Sequence, residues 1–260
     1  MVNNGIPLWF RCFKGKDDPE AFKLSLINQG ISYVCDLFSN TNYNLVFLAD
    51  RWFNFREIMQ HINQLKQFYC IRTKTNISIS IKNYEDADMI SSISDIEPLL
   101  SKSRYFDHVT ITAFNFPTKL AVSKTDTHQE PYFILTNGDT REAVKHYGYR
   151  FGSIETIFKN QKSNGFYLES TKMRNLHAFS TLFGLVCVAI LWLTILGSDY
   201  CKNKSHHKNH LKIRYSKKNP TNSKTKRVIS LFNTGLTFFN LAFCSSKYSV
   251  IKCNFILYDI

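Results

Sequence analysis

Between Tyr200 and Tyr258 the chain has no acidic residue, although Lys202 to Arg227 is crowded with lysine, arginine and histidine. Asn175 to Ser198 has no lysine, arginine or acid. None of the seven cysteines forms a C-x-x-C pair, and several lie inside apolar runs. No segment repeats, and the opening MVNNGIPLWFRCF lacks a charged start followed by a long apolar core. These absences exclude particular classes. Scattered cysteines in apolar surroundings argue against a disulfide framework and for reduced, buried thiols in a cytosolic protein. The opening predicts no secretory signal. Because it already reads as a strand, it also predicts missing upstream sequence.

What is present allows a sizeable core. With 260 residues, 44% of them hydrophobic and 15% aromatic, the chain is long enough for one large domain or two small ones and is not disordered by composition. Its formal net charge of +13 points to a polyanionic partner, either nucleic acid or an anionic membrane surface.

The segment IPLWFRCF, residues 6–13, reads as a strand ending at the turn-like KGKDDP. Asp18 and Pro19 predict a helix start, and Phe22, Leu26, Tyr33 and Leu37 fall at helical spacing with Gly30 as a break. YNLVFLAD, residues 43–50, is a short apolar run ending in Asp50, as in a strand covered on both faces. Asn54 with Glu57 predicts a capped helix whose apolar face is Ile58, Ile62 and Leu65, and FYCIRTK follows as a strand. Alternating strands and helices predict an α/β core. Residues 76–138 carry the short alternating segments ISISIK, HVTITAF and YFILTN, which predict a β-rich insertion. NGDT then leads into a helix. In the tail, VISLFNTGLTFFNLAF reads as a helix and VIKCNFILY as a strand.

Within YGYRFGSIETIFKNQKSNGF, Tyr147, Phe151, Ile154 and Phe158 advance by four, three and four, which is one helix face and a core stripe. Glu155, Lys159 and Lys162 fall on an adjacent face, where the ordinary reading is a solvated surface with an i,i+4 pair worth roughly 0.3–0.5 kcal/mol. Asp50 is more pointed, because an acid at the carboxyl end of a buried strand sits where open α/β sheets place ligands. Cys201, His206, His207 and His210 invite a zinc site, but one cysteine without a partner pair argues against it.

FLADRWF followed by this helix resembles the DDE-type insertion-sequence transposases. The family signature is Y-x-x-R-x-x-x-E followed, after six residues, by K. Tyr147, Arg150, Glu155 and Lys162 match it with one departure: four residues, not three, separate Arg150 from Glu155. The resemblance covers most of residues 6–200. It implies an α/β fold, a ribonuclease-H-like mixed sheet flanked by helices, with a β-rich insertion and a basic C-terminal extension. The implied division is 1–75 for the first part of the core with its first strand missing, 76–138 for the insertion, 139–200 for the closing helices and 201–260 for the basic segment.

The resemblance also implies chemistry. Asp50 and Glu155 would be the second and third acids of a triad holding Mg²⁺, with Mn²⁺ as a substitute, over a phosphodiester. Tyr147, Arg150, Lys159 and Lys162 would hold DNA, Arg150 by a bidentate grip on phosphate. The partner would be the double-stranded DNA of transposon ends, bound by paired protomers in the cytoplasm in association with the nucleoid, with no membrane. The first acid of the triad is not found: Asp17 and Asp18 belong to a turn. A truncated chain with impaired cleavage is therefore expected. The basic segment from Cys201 to Arg227 would add phosphate contacts whose strength falls steeply with salt. Two rivals remain: a single-pass membrane protein spanning near 181–197, and a DNA-binding remnant without catalysis.

Overall fold

The computed structural model describes residues 8–13, 23–81, 92–96, 98, 102–124, 130–162, 166–202, 215–216, 226–227 and 231–244; for 151–160, 162, 169, 202, 215–216, 226–227 and 241–244 it describes the backbone. The chain divides into two compact units, Met1–Lys159 and Asn160–Ile260.

The first unit is built on a six-stranded sheet in the order β1-β2-β6-β5-β4-β3. Strands β1 (Val46–Ala49) and β2 (Phe68–Arg72) run parallel, joined by helix α2 (Arg56–Gln64). The remaining pairings are antiparallel, through β3 (Ile79–Ile81), β4 (Ser103–Ile111), β5 (Phe116–Ser123) and β6 (Tyr132–Thr136). The strands of the β-rich stretch thus continue the same sheet.

Alternation along the strands sorts side chains onto two faces. Phe47, Tyr69, Ile71, Leu120, Val122, Phe133 and Leu135 join one core with Ile31 of α1 (Leu24–Leu37) and with Ile58, Met59 and Ile62 of α2. Cys70, Ala121 and Ile134 join a second core with Ala143 and Tyr147 of α3 (Thr140–Lys162), against which Val46 and Leu48 pack. Strands β1 and β2 are therefore covered on both sides, as the unbroken apolar run predicts. Burial has a chemical trace. The Cys70 thiol is pushed up to about 11 and the Tyr69 phenol to about 12, chiefly because the interior disfavours their charged forms.

Helix α3 is aimed by hydrogen bonds at its start. The Arg141 N–H donates to Asp139 Oδ1 at 2.9 Å, an N-cap interaction. The Thr140 hydroxyl donates to Asp107 Oδ1 at 3.1 Å. Asp107 lies where the β4–β5 register shifts between Phe106 and Val109, a bulge that re-aims side chains.

Several sequence expectations are corrected. The described part of IPLWFRCF, residues 8–13, is not a strand. Trp9 instead lies against α1, so close that a Cβ at Gly30 would come within 2.8 Å of its ring. The same contact explains Gly30, which does not break α1: the helix runs through it because the bare backbone admits an indole. Asn54 does not cap α2. Its amide donates to Thr73 Oγ1 at 2.8 Å, and Phe55 holds the N-cap position without a side-chain bond. HVTITAF is strand only to Ile111, after which Thr112–Phe114 form a tight turn closed by Asn115 at φ 47°. The start proposed at Asp18 and Pro19 lies outside the described residues.

The second unit holds α4 (Leu176–Lys202) and α5 (Leu231–Cys244), whose packing core is Val186, Ile190, Leu193 and Phe232. They approach closely through two glycines. A Cβ on Gly197 would collide with the Leu231 carbonyl, and one on Gly235 with the Leu193 carbonyl. Leu185 and Val188 of α4 are 63% and 65% exposed, so the 181–197 stretch is buried on one stripe only. Tyr215–Ser216 and Lys226–Arg227 form a short antiparallel pair within the basic stretch. Cys12, Cys35, Cys70, Cys187 and Cys201 are free thiols. His206, His207, His210 and the strand expected at 250–258 lie outside the described residues.

Candidate active site

Asp50 follows β1 directly and stands at the carboxyl end of the parallel pair. It caps the tight turn Arg51–Phe53, its Oδ1 accepting the Arg51 N–H at 2.7 Å. Its Oδ2 accepts a hydrogen bond at 3.2 Å from Arg150 Nη2, which arrives from α3 across 100 residues of sequence. Both side chains are mostly enclosed, with 32% of Asp50 and 18% of Arg150 exposed.

Behind this pair lies an aromatic support. The Arg150 guanidinium carbon stands 5.9 Å from the centre of the Tyr147 ring, at the outer reach of a cation–π contact. Tyr147 is 2% exposed and packs at 6.0 Å against Tyr132 of β6. In this arrangement Tyr147 props Arg150 from below instead of facing solvent. Burial raises the Tyr147 phenol above its ordinary value of 10.0, while Arg150 pulls it down, so the ring stays neutral at ordinary pH. Arg72, at the end of β2, lies 4.9 Å over the Tyr132 ring and donates to Glu130 Oε2 at 3.0 Å.

Asp50, Arg150 and Tyr147 are thus brought together. The side chains of Glu155, Lys159 and Lys162 lie outside the described residues. Their backbone belongs to α3, which runs unbroken through Glu155 and Lys159 and ends at Lys162. At about 100° per residue, the five steps from Arg150 to Glu155 place their Cα atoms about 140° apart around the axis; the family spacing of four steps gives about 40°. Arg72, Glu130 and Tyr132 were not anticipated. Their role depends on strand pairing between β2, β6 and β5, which no local pattern announces.

Among the described residues no three His, Cys, Asp or Glu side chains gather as a metal site. Asp50 offers hard carboxylate oxygens suited to Mg²⁺, but they engage Arg150 and the Arg51 amide. The described residues therefore supply one ligand and do not by themselves complete a metal centre.

A mixed sheet flanked by helices, with an acid at the carboxyl end of its parallel strands, places the molecule in the ribonuclease-H-like class. Residues 2–192 match the family model described as Transposase DDE domain, and the chain belongs to that family. DDE transposases are enzymes of DNA transposition that generally use divalent metal ions. No curated protein matches the chain.

Proposed function

We propose that this chain is the catalytic domain of a DNA transposase, carrying out metal-dependent phosphoryl transfer at transposon ends. The observation that carries the reading is the meeting of Asp50 and Arg150 at the carboxyl end of β1, in a chain of the DDE family. Asp50 and Glu155 would hold the divalent ion, Mg²⁺ or Mn²⁺, which when bound supplies an activated nucleophile and stabilises the leaving oxygen. Arg150 would transfer its fork from Asp50 to a DNA phosphate, a bidentate contact that a lysine cannot reproduce. Tyr147 fixes the height of that guanidinium. Lys159 and Lys162 would follow the strand along α3, and the basic segment beyond Lys202 would add phosphate contacts. Paired protomers on paired DNA ends in the cytoplasm complete the proposal.

With a single described carboxylate beside Arg150, the chain alone is expected to bind DNA and nick it weakly. The test incubates purified chain with transposon-end DNA and Mg²⁺ or Mn²⁺. Binding with slow nicking that disappears in Asp50→Asn and Glu155→Ala supports the assignment. Nicking that survives both substitutions overturns it, and failure to bind DNA overturns the reading as a whole.

A second reading rests on α4. Leu176–Cys201 is long and apolar enough to cross a membrane by length and composition, and Leu185 and Val188 are exposed. A chain that pellets with membranes and is released by detergent alone would favour it.

A further inference from the structure

The turn that follows Asp50 has an unusual surface. Trp52 is 71% exposed, and Phe53 and Phe55 are exposed on either side of Asn54. Large apolar rings in water are unfavourable by roughly 25 cal/mol per Å² of apolar surface, so a cluster of them marks a contact surface more often than chance.

The cluster is held rigidly. The Phe53 N–H donates to the Asp50 carbonyl at 2.9 Å and the Phe55 N–H to the Phe53 carbonyl at 2.9 Å. The Asn54 amide donates to Thr73 Oγ1, and the Thr73 N–H donates to the Phe133 carbonyl at 2.9 Å, which ties the turn to the end of β2 and to β6. The next residue, Lys74, brings Nζ to 5.9 Å from the centre of the Trp52 ring. Arg51 is exposed one residue before Trp52. The surface is therefore aromatic, with one cation over the Trp52 ring and another next to it, directly beside Asp50.

We propose that Trp52, with Lys74 over its ring and Arg51 next to it, is a stacking platform for an unpaired DNA base next to the phosphate that Arg150 would hold. The proposal rests on the reading of DNA as the substrate and adds which form of DNA the site takes. The reasoning is chemical. A base inside a duplex presents no free face, because both faces are stacked on neighbours. A base at a frayed end or turned out of the helix presents one, and its phosphates lie within reach of the adjoining cations. A purely apolar partner would gain nothing from Arg51 and Lys74, whereas a nucleotide matches ring and charge together.

The experiment compares two fluorescein-labelled duplexes of one sequence. One is flush; the other has a short single-stranded tail with 2-aminopurine at the first unpaired position. Wild type should bind the tailed duplex about ten-fold more tightly than the flush one, within the usual range for one aromatic–base stack. It should also quench the 2-aminopurine. Trp52→Ala should lose both the preference and the quenching while binding the flush duplex as wild type does, and Trp52→Phe should restore part of each. Circular dichroism checks that the variants fold. If wild type and Trp52→Ala bind the two duplexes alike, the platform is overturned while the DNA reading stands. If neither duplex is bound, both fall. If Trp52→Ala instead converts a self-associated chain to monomers with DNA binding unchanged, the surface contacts a second copy and the proposal is wrong.

Discussion

The Arg150 guanidinium lies 3.2 Å from the Asp50 carboxylate and 5.9 Å from the centre of the Tyr147 ring, so one side chain links the end of β1 to the middle of α3. A cation in that position balances Asp50 in the free protein, and under the proposed function it would turn to an incoming phosphate. Arg150→Ala is expected to weaken DNA binding alike for all sequences and to reduce the magnitude of the salt slope of log K by about one. Fluorescence anisotropy at several salt concentrations measures it. An unchanged slope would remove Arg150 from the phosphate contacts.

Asn54 ties the turn after Asp50 to Thr73, and its Oδ1 is buried without a hydrogen-bond partner. Asn54→Ala loses the bond and should lower stability by about 1 kcal/mol. It should also let the turn carrying Trp52 move. A urea midpoint equal to wild type would show that the bond contributes nothing.

How far the sequence foretold this arrangement depends on what each residue answers to. LVFLAD announces a covered strand with an acid at its end, and β1 with Asp50 is that element, because a run apolar on both faces fits only between two layers. NGDT announces the start of α3, since Asp139 caps locally. LWFRCF misleads: its apolar residues suit a strand, but Trp9 is claimed by Gly30 on a neighbouring helix. Asn54 misleads similarly, as an amide next to a helix start can cap it or bond elsewhere, and Thr73 lies 19 residues away. Glu130, Arg72 and Tyr132 meet only through the pairing of distant strands, so nothing local signals them.

The α4–α5 contact leaves no room at either glycine. Gly235→Leu should separate the helices, an overpacking change of typically 1–3 kcal/mol or more. Trp192, whose ring is 5.3 Å from that of Phe239, gives the readout. Its emission should move to longer wavelength at a lower temperature than in wild type. A coincident transition would mean the two helices do not depend on that approach.

Alkaline pH should destabilise the first unit. Burial raises Cys70 from 9.0 to about 11 and Tyr69 from 10.0 to about 12, so both stay protonated in the folded chain while the unfolded chain ionises them. Their contribution is complete below about pH 9 and is lost as pH rises towards 12. Thermal midpoints followed by circular dichroism should fall across that window, and Cys70→Ala should flatten its lower part. A midpoint constant from pH 8 to 12 would contradict this.

The link between Thr140 and Asp107 has a consequence for how such a chain can diverge. The helix carrying Arg150 takes its bearing from an irregularity in β4. Deleting one residue from β4 between Phe106 and Val109 would straighten the strand, turn Asp107 to the opposite side and leave the helix without its bearing. A change of length in β4 is therefore expected to be tolerated at the ends of the strand and not at that step.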